Sequence, residues 1–203
     1  MTAVPTTDKA RATRKALVRS AGAMFEESGY TAVAVRDVAR ENGVTTGAIY
    51  GHFRNKADLL AAVIADRIDR DLVAPARGTG AGLTDTLAAQ ARRYPERAGL
   101  RALLVEGAHA ARIDDDAGRA IGEMLQAYLD EWREQYRGVQ ARGEFLRVDM
   151  DALLTLLLAM ELGLGVLEAT DVGLPSAPAW SATVRQILEG IEAHGHDRNE
   201  RNP

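Results

Sequence analysis

The chain has 203 residues, 46% of them hydrophobic and 5% aromatic, with 25 Lys or Arg against 29 Asp or Glu and a net charge of −4. That is enough apolar material for one elongated or two small helical domains, and a sequence dominated by Ala, Leu and Arg without alternating Val/Ile/Thr/Tyr runs favours helix over strand. No cysteine is present, which excludes disulfides, thiolate metal sites and cysteine nucleophiles and suits a reducing cytoplasm.

Residues 1–8 are polar and lack the apolar core of a secretion signal. A first helix is expected over roughly 8–28, striped by Leu17, Ala21, Met24 and Phe25 and closed by Gly29. A short second helix carries Val35, Val38 and Ala39 and ends at Gly43. The third opens at Thr45 or Thr46, whose hydroxyl can cap the free amides. The fourth starts behind Asn55 as N-cap, places Asp58 in its first turn, and runs to about Val73. This opening segment is basic. Residues 1–60 hold nine Lys or Arg, including every lysine of the chain, against six Asp or Glu, whereas the remainder carries −7. A basic head on an acidic body is the charge layout of a DNA reader joined to a separate module.

Pro75, Gly78, Gly80 and Gly82 interrupt the helical pattern and mark the expected domain junction. Five further helical segments follow. One covers 83–94 and stops near Pro95; the next is striped by Leu100, Leu103, Leu104, Gly107 and Ala111. Three acids at 114–116 open a long helix with Ile121, Leu125, Tyr128, Trp132 and Tyr136. Residues 143–148 read as a loop, Asp149 caps an apolar segment at 153–167, and Ser176 with Pro178 starts the last helix. The tail after His194 is polar, with disorder expected. The apolar segment falls short of the ~20 residues that span a bilayer and contains Glu161. The expectation is a soluble, cytoplasmic, all-α protein of about nine helices with no membrane partner.

The stretch from Val35 to Phe53 has the parts of a helix-turn-helix. Ala39 offers a small contact surface, Gly43 tolerates positive φ in the turn, and Val44, Ile49 and Phe53 point inward. Thr46, Gly47, Ala48, Tyr50 and His52 leave an outer face small or polar enough for the major groove. On Gly29-Tyr30, on Val35-Arg36-Asp37-Val38-Ala39, on the run from Gly43 through Phe53, and on Asn55 to Leu60, the chain resembles the tetracycline-repressor (TetR) family. The match covers roughly 10–64. Two positions depart from the family pattern. Ala34 stands where Ser or Thr usually caps the second helix, at a cost of ~0.5–2 kcal/mol. Gly51 stands where a larger side chain is common, at a cost of about 1 kcal/mol in a helix interior.

The resemblance implies a helix-turn-helix domain at 1–54 and a helical effector-binding and dimerisation domain at 55–203. It implies that Tyr50, His52 and Lys56 meet the DNA backbone, with Thr45 adding a hydroxyl; Lys56 also lies in the first turn of the fourth helix, where amides attract phosphate. Thr46, Gly47 and Ala48 are candidates at the base edges, Ala48 against a thymine methyl, and Arg36 is the candidate guanine reader. The body is expected to pair as a homodimer through its last two helices. The apolar segment at 153–167, with Leu156, Met160, Gly163 and Leu167, and the stripe of Trp180, Val184, Ile187, Leu188 and Ile191 are more than a small monomer buries. A palindromic operator in double-stranded DNA and a small-molecule effector complete the reading. Glu106, His109, Tyr128, Trp132 and Glu161 are candidate effector contacts.

Two other function classes were weighed. Glu106-Gly107-Ala108-His109 has the Glu-x-x-His spacing of a di-iron bundle enzyme, but the sequence has no second copy. An effector-free DNA-binding protein would differ only in lacking a pocket. No phosphate loop, nucleophile triad or nucleotide fingerprint is present, so neither catalysis nor a cofactor or metal is expected.

Overall fold

The computed structural model describes residues 8–74, 82–145 and 148–197, with side chains through Ala193. Among these residues every regular element is helical: α1 (Asp8–Ala32), α2 (Val35–Glu41), α3 (Thr46–Tyr50), α4 (Lys56–Ile68), α5 (Leu83–Arg92), α6 (Ala98–Ile113), α7 (Asp115–Ala141), α8 (Met150–Ala169) and α9 (Ala177–Asp197). A π-helical turn, Asp69–Val73, continues α4, and a 3₁₀ turn, Tyr94–Arg97, leads into α6. The junction glycines and proline at 75–80 and the tail beyond 197 lie outside the described residues, while the last helix continues past His194 to Asp197.

The chain forms two compact units that alternate along the sequence. Met1–Ile68 and Ala102–Met124 make the first, Asp69–Arg101 and Leu125–Pro203 the second. In the first unit α1 packs on α2 and α4, and α2 packs on α3. Leu17, Val18, Ala21 and Phe25 form the buried stripe of α1, and Leu59, Leu60, Val63 and Ile64 that of α4. The expected end of the first helix at Gly29 is a kink rather than a stop. Gly29 has φ +79° and ψ 160°, values that a side chain rarely permits, and the chain resumes helical turns to Ala32. Gly107 of α6 passes so close to α4 that a Cβ there would meet Ile64 Cδ1 at 2.8 Å.

The second unit closes around Leu83, Ala91, Val139, Phe145, Leu153, Val184 and Leu188, with Leu157, Met160, Trp180 and Ile191 partly buried against them. α5 and α9 lie side by side; Ser181 Oγ donates to Ala88 O at 2.8 Å and Arg185 pairs with Asp85 at 2.7 Å. Tyr136 is also partly buried here, and burial pushes its phenol up to about 12. The apolar segment expected at 153–167 is longer than its hydrophobic run suggested. Asp149 accepts from the amides of Asp151 and Ala152 and starts a helix of 20 residues, long and apolar enough by length and composition to cross a membrane. Its two interior carboxylates, Glu161 and Glu168, are ion-paired to Arg97 and Arg101.

Candidate nucleic-acid interface

The helix-turn-helix is built from local constraints. Ala34 occupies the N-cap of α2 with no side-chain bond to it, and only the backbone turn, Asp37 N to Ala34 O at 2.9 Å, closes that end. Asn42 Nδ2 donates to Val38 O at 2.8 Å and Gly43 takes φ +62°, which turns the chain; Val44 N then returns to Ala39 O at 3.0 Å. Thr45 caps α3, its Oγ1 accepting from Ala48 N at 3.2 Å. Ile49 and Phe53 are 1% and 4% exposed and pin the inner side of α3, with the Arg14 guanidinium 5.0 Å over the Phe53 ring. Gly51 is the C-cap in right-handed conformation, so it stands at the end of α3 rather than in a helix interior.

The opposite side of α3 faces out. Thr45, Gly47 and Ala48 are exposed, Tyr50 is 53% exposed, and Thr46 and His52 are half-buried. Arg36 is exposed on α2, while its neighbour Arg40 is tied to Asp37 at 2.9 Å. At the start of α4, Asn55 Oδ1 accepts from Asp58 N at 2.9 Å and Asp58 accepts from Arg54 N at 3.0 Å. Two Arg54 guanidinium bonds of 2.7 Å hold the Asp58 carboxyl below its ordinary value. Lys56 is half-buried. Its Nζ sits 4.2 Å over the ring of Tyr30, and burial pulls its pKa down against the opposing pull of Asp114 and Glu106.

The candidate effector contacts are divided between the two units. Glu106 and His109 fall in the first unit, Tyr128, Trp132 and Glu161 in the second. The Glu106 carboxylate accepts the amide of Tyr30, the residue after the kink at Gly29, and His109 is exposed. Tyr128 donates to Asp69 in the π-helical turn at 2.8 Å, and its ring lies tilted against Trp132 with centroids 5.8 Å apart. Glu161 is taken up by Arg97 and lies 3.6 Å from Arg101. Sequence reasoning passed over those two arginines. Arg101 is fully buried, its Nη1 donating to Tyr94 O at 2.6 Å and its Nε to Glu168 at 2.7 Å. Local sequence carried little signal for the pairing: Arg97 ends the 3₁₀ turn, Arg101 stands in the first turns of α6, and their glutamate partners lie far along the chain on α8.

The candidate dimer residues divide by exposure. Leu156, Leu167 and Ile187 are 43%, 40% and 48% exposed, and Gly163 is open, with nothing within 4 Å of where a Cβ would stand. Val184 and Leu188, at 4% and 2%, are instead spent on the subunit's own core against α5, with Trp180, Ile191 and Met160 at its edge. An i, i+4, i+8 stripe reports that a helix face is buried but not against which partner.

Comparison with known proteins agrees with this geometry. Residues 17–63 match the family model for bacterial regulatory proteins, tetR family. The Tn10 TetC protein of Escherichia coli is 44% identical over 52 residues, a match that spans 26% of this chain and 26% of that protein's own length. The HTH-type transcriptional repressor Rv1474c of Mycobacterium tuberculosis is 30% identical over 161 residues, 75% of this chain and 83% of the relative. A TetR transcriptional regulator from Chloroflexus aurantiacus superposes with a TM-score of 0.65 at 28% identity, over 89% of this chain and 96% of that one. With a capped short helix turned outward behind a glycine turn, and with that similarity carried well beyond the first unit, the chain belongs to the TetR family of bacterial regulatory proteins.

Proposed function

We propose that the protein is an effector-responsive repressor that binds a palindromic operator in double-stranded DNA as a homodimer in the cytoplasm, and that a small molecule releases it. The observation that carries the reading is the two-sided character of α3: Ile49 and Phe53 are buried while Gly47, Ala48 and Tyr50 face solvent. A five-residue helix of this kind stays formed only because Thr45 and the inward anchors hold it. Its outer face is free of bulk except for Tyr50, which suits a helix laid into the major groove with a phenol at the phosphate wall. Residues 1–54 serve as the reading head and 55–203 as the body.

Homodimerisation is supported by the exposed side of α8. Ala152, Thr155, Leu156, Ala159, Gly163, Val166, Leu167 and Thr170 are exposed and none is charged. Ile187 adds an exposed apolar group on α9. Two heads ~34 Å apart or somewhat more would meet successive turns of a palindrome. For the effector, the half-buried aromatic pair Tyr128 and Trp132 in the second unit offers apolar surface beside a polar hydroxyl. A mobility shift with the DNA flanking the protein's own gene, repeated across salt, tests the reading. Retardation that weakens steeply as salt rises supports it; no retardation of any duplex at low salt refutes it.

A further inference from the structure

We propose that Glu106 and Asp114 are positioning residues for DNA binding: through Tyr30 they fix the ammonium of Lys56 at the first turn of α4, so residues 102–124 set the strength of a phosphate contact made there. The inference rests on the DNA-reading function proposed above and concerns its regulation.

Five observations within the first unit converge. Gly29 leaves helical geometry immediately before Tyr30, and the Glu106 carboxylate accepts the Tyr30 amide. A Cβ at Gly29 would lie 3.2 Å from Glu106 Oε1, so the backbone and the carboxylate are in close contact. At the other end of the same side chain, Tyr30 Oη donates to Asp114 Oδ2 at 2.8 Å. Tyr30 is thus held at both its amide and its phenol by one short stretch of the body. The face of its ring then receives Lys56 Nζ at 4.2 Å, within the range of a cation–π contact. The neighbouring residue is tied to the same corner, Asn55 Nδ2 donating to Asp116 Oδ2 at 3.2 Å.

The physical consequence is directional. A lysine is a flexible point charge whose stem loses several rotamers when it grips a phosphate. Resting against a fixed ring, with two carboxylates nearby to keep it charged, Lys56 is already ordered before DNA arrives. Any shift of the α6–α7 corner moves the carboxylates, then the ring, then the ammonium. The route consists of two hydrogen bonds to Tyr30 and one cation–π contact from its ring to Lys56.

The test is a double-mutant cycle on DNA affinity, measured by fluorescence anisotropy with the full chain and one labelled duplex that the wild type binds. Asp114→Ala and Tyr30→Leu are each expected to weaken binding about three- to tenfold and to lower the slope of log affinity against log salt by about one. In a Lys56→Ala background the same substitutions are expected to change affinity less than twofold, because their target is gone. Tyr30→Phe, which keeps the ring and removes only the bond to Asp114, should fall between wild type and Tyr30→Leu. A loss of equal size in both backgrounds, an unchanged salt slope, or no loss at all overturns the inference while leaving DNA binding intact. Failure of the wild type to bind any duplex would instead remove the function on which the inference rests.

Discussion

At the scale of single residues the reading helix depends on one hydroxyl. A five-residue helix has almost no internal hydrogen bonding of its own, and the Thr45 side chain supplies a partner for Ala48 N. Replacing Thr45 with Ala is expected to cost about 1 kcal/mol of stability, read as a lower urea midpoint, and to weaken DNA binding further because the same hydroxyl stands on the exposed face. α2 offers the contrast: Ala34 provides no such bond, and buried Val38 and Ala39 hold the helix in its place. The sequence departure at Ala34 therefore has a visible substitute. The one at Gly51 has little cost, since a residue at a helix end is not charged the full interior penalty. Asp58 adds a pH-sensitive element. Its carboxyl is held low by Arg54, so the stability it contributes is present above the unfolded carboxylate range near pH 4 and is lost as pH falls through the lower folded value.

At the scale of elements, what could be read from the sequence was whatever is decided within one or two turns of chain. The glycine turn at Gly43, the caps at Thr45, Asn55 and Asp149, and the inward anchors Ile49 and Phe53 are all local signals, and the described geometry contains each of them. Contacts between segments far apart were not legible. Glu161 and Glu168 meet arginines 64 and 67 positions away, and nothing near them in sequence distinguishes a paired carboxylate from a ligand contact. Val184 and Leu188 were read as dimer residues for the same reason. The π-helical turn at Asp69–Val73 was also invisible, because a change in helical pitch over five residues scarcely alters the apolar period. The ionic group on α6 and α8 now makes its own prediction. Glu168→Ala leaves the fully buried Arg101 without its bidentate partner, and breaking such a pair costs roughly 3 kcal/mol. Thermal unfolding should fall by many degrees, whereas Arg119→Ala, which opens an exposed pair with Asp116, should change stability by under ~1 kcal/mol.

At the scale of the whole molecule the account needs two reading heads and therefore two chains. The uncharged exposed side of α8 is the surface assigned to that contact, and Leu167 is 40% exposed on it. Leu167→Glu would place a carboxylate on each copy at a face whose exposed residues from Ala152 to Thr170 are uncharged. Sedimentation should then show a monomer where the wild type shows a dimer, and operator affinity should fall with it, because each half-site would be bound without the other. A variant that stays dimeric would move the interface elsewhere.

The central claim is that the outer face of α3 lies against the floor of a DNA groove. Ala48 is exposed in the first turn of that helix, where a glutamate suits the helix dipole and costs the fold little. The most direct measurement is the affinity of Ala48→Glu for a duplex that the wild type binds, taken at low salt. The account predicts a loss of at least about a hundredfold from steric and charge conflict with the bases, at an unchanged melting temperature. Binding as tight as the wild type's would contradict it.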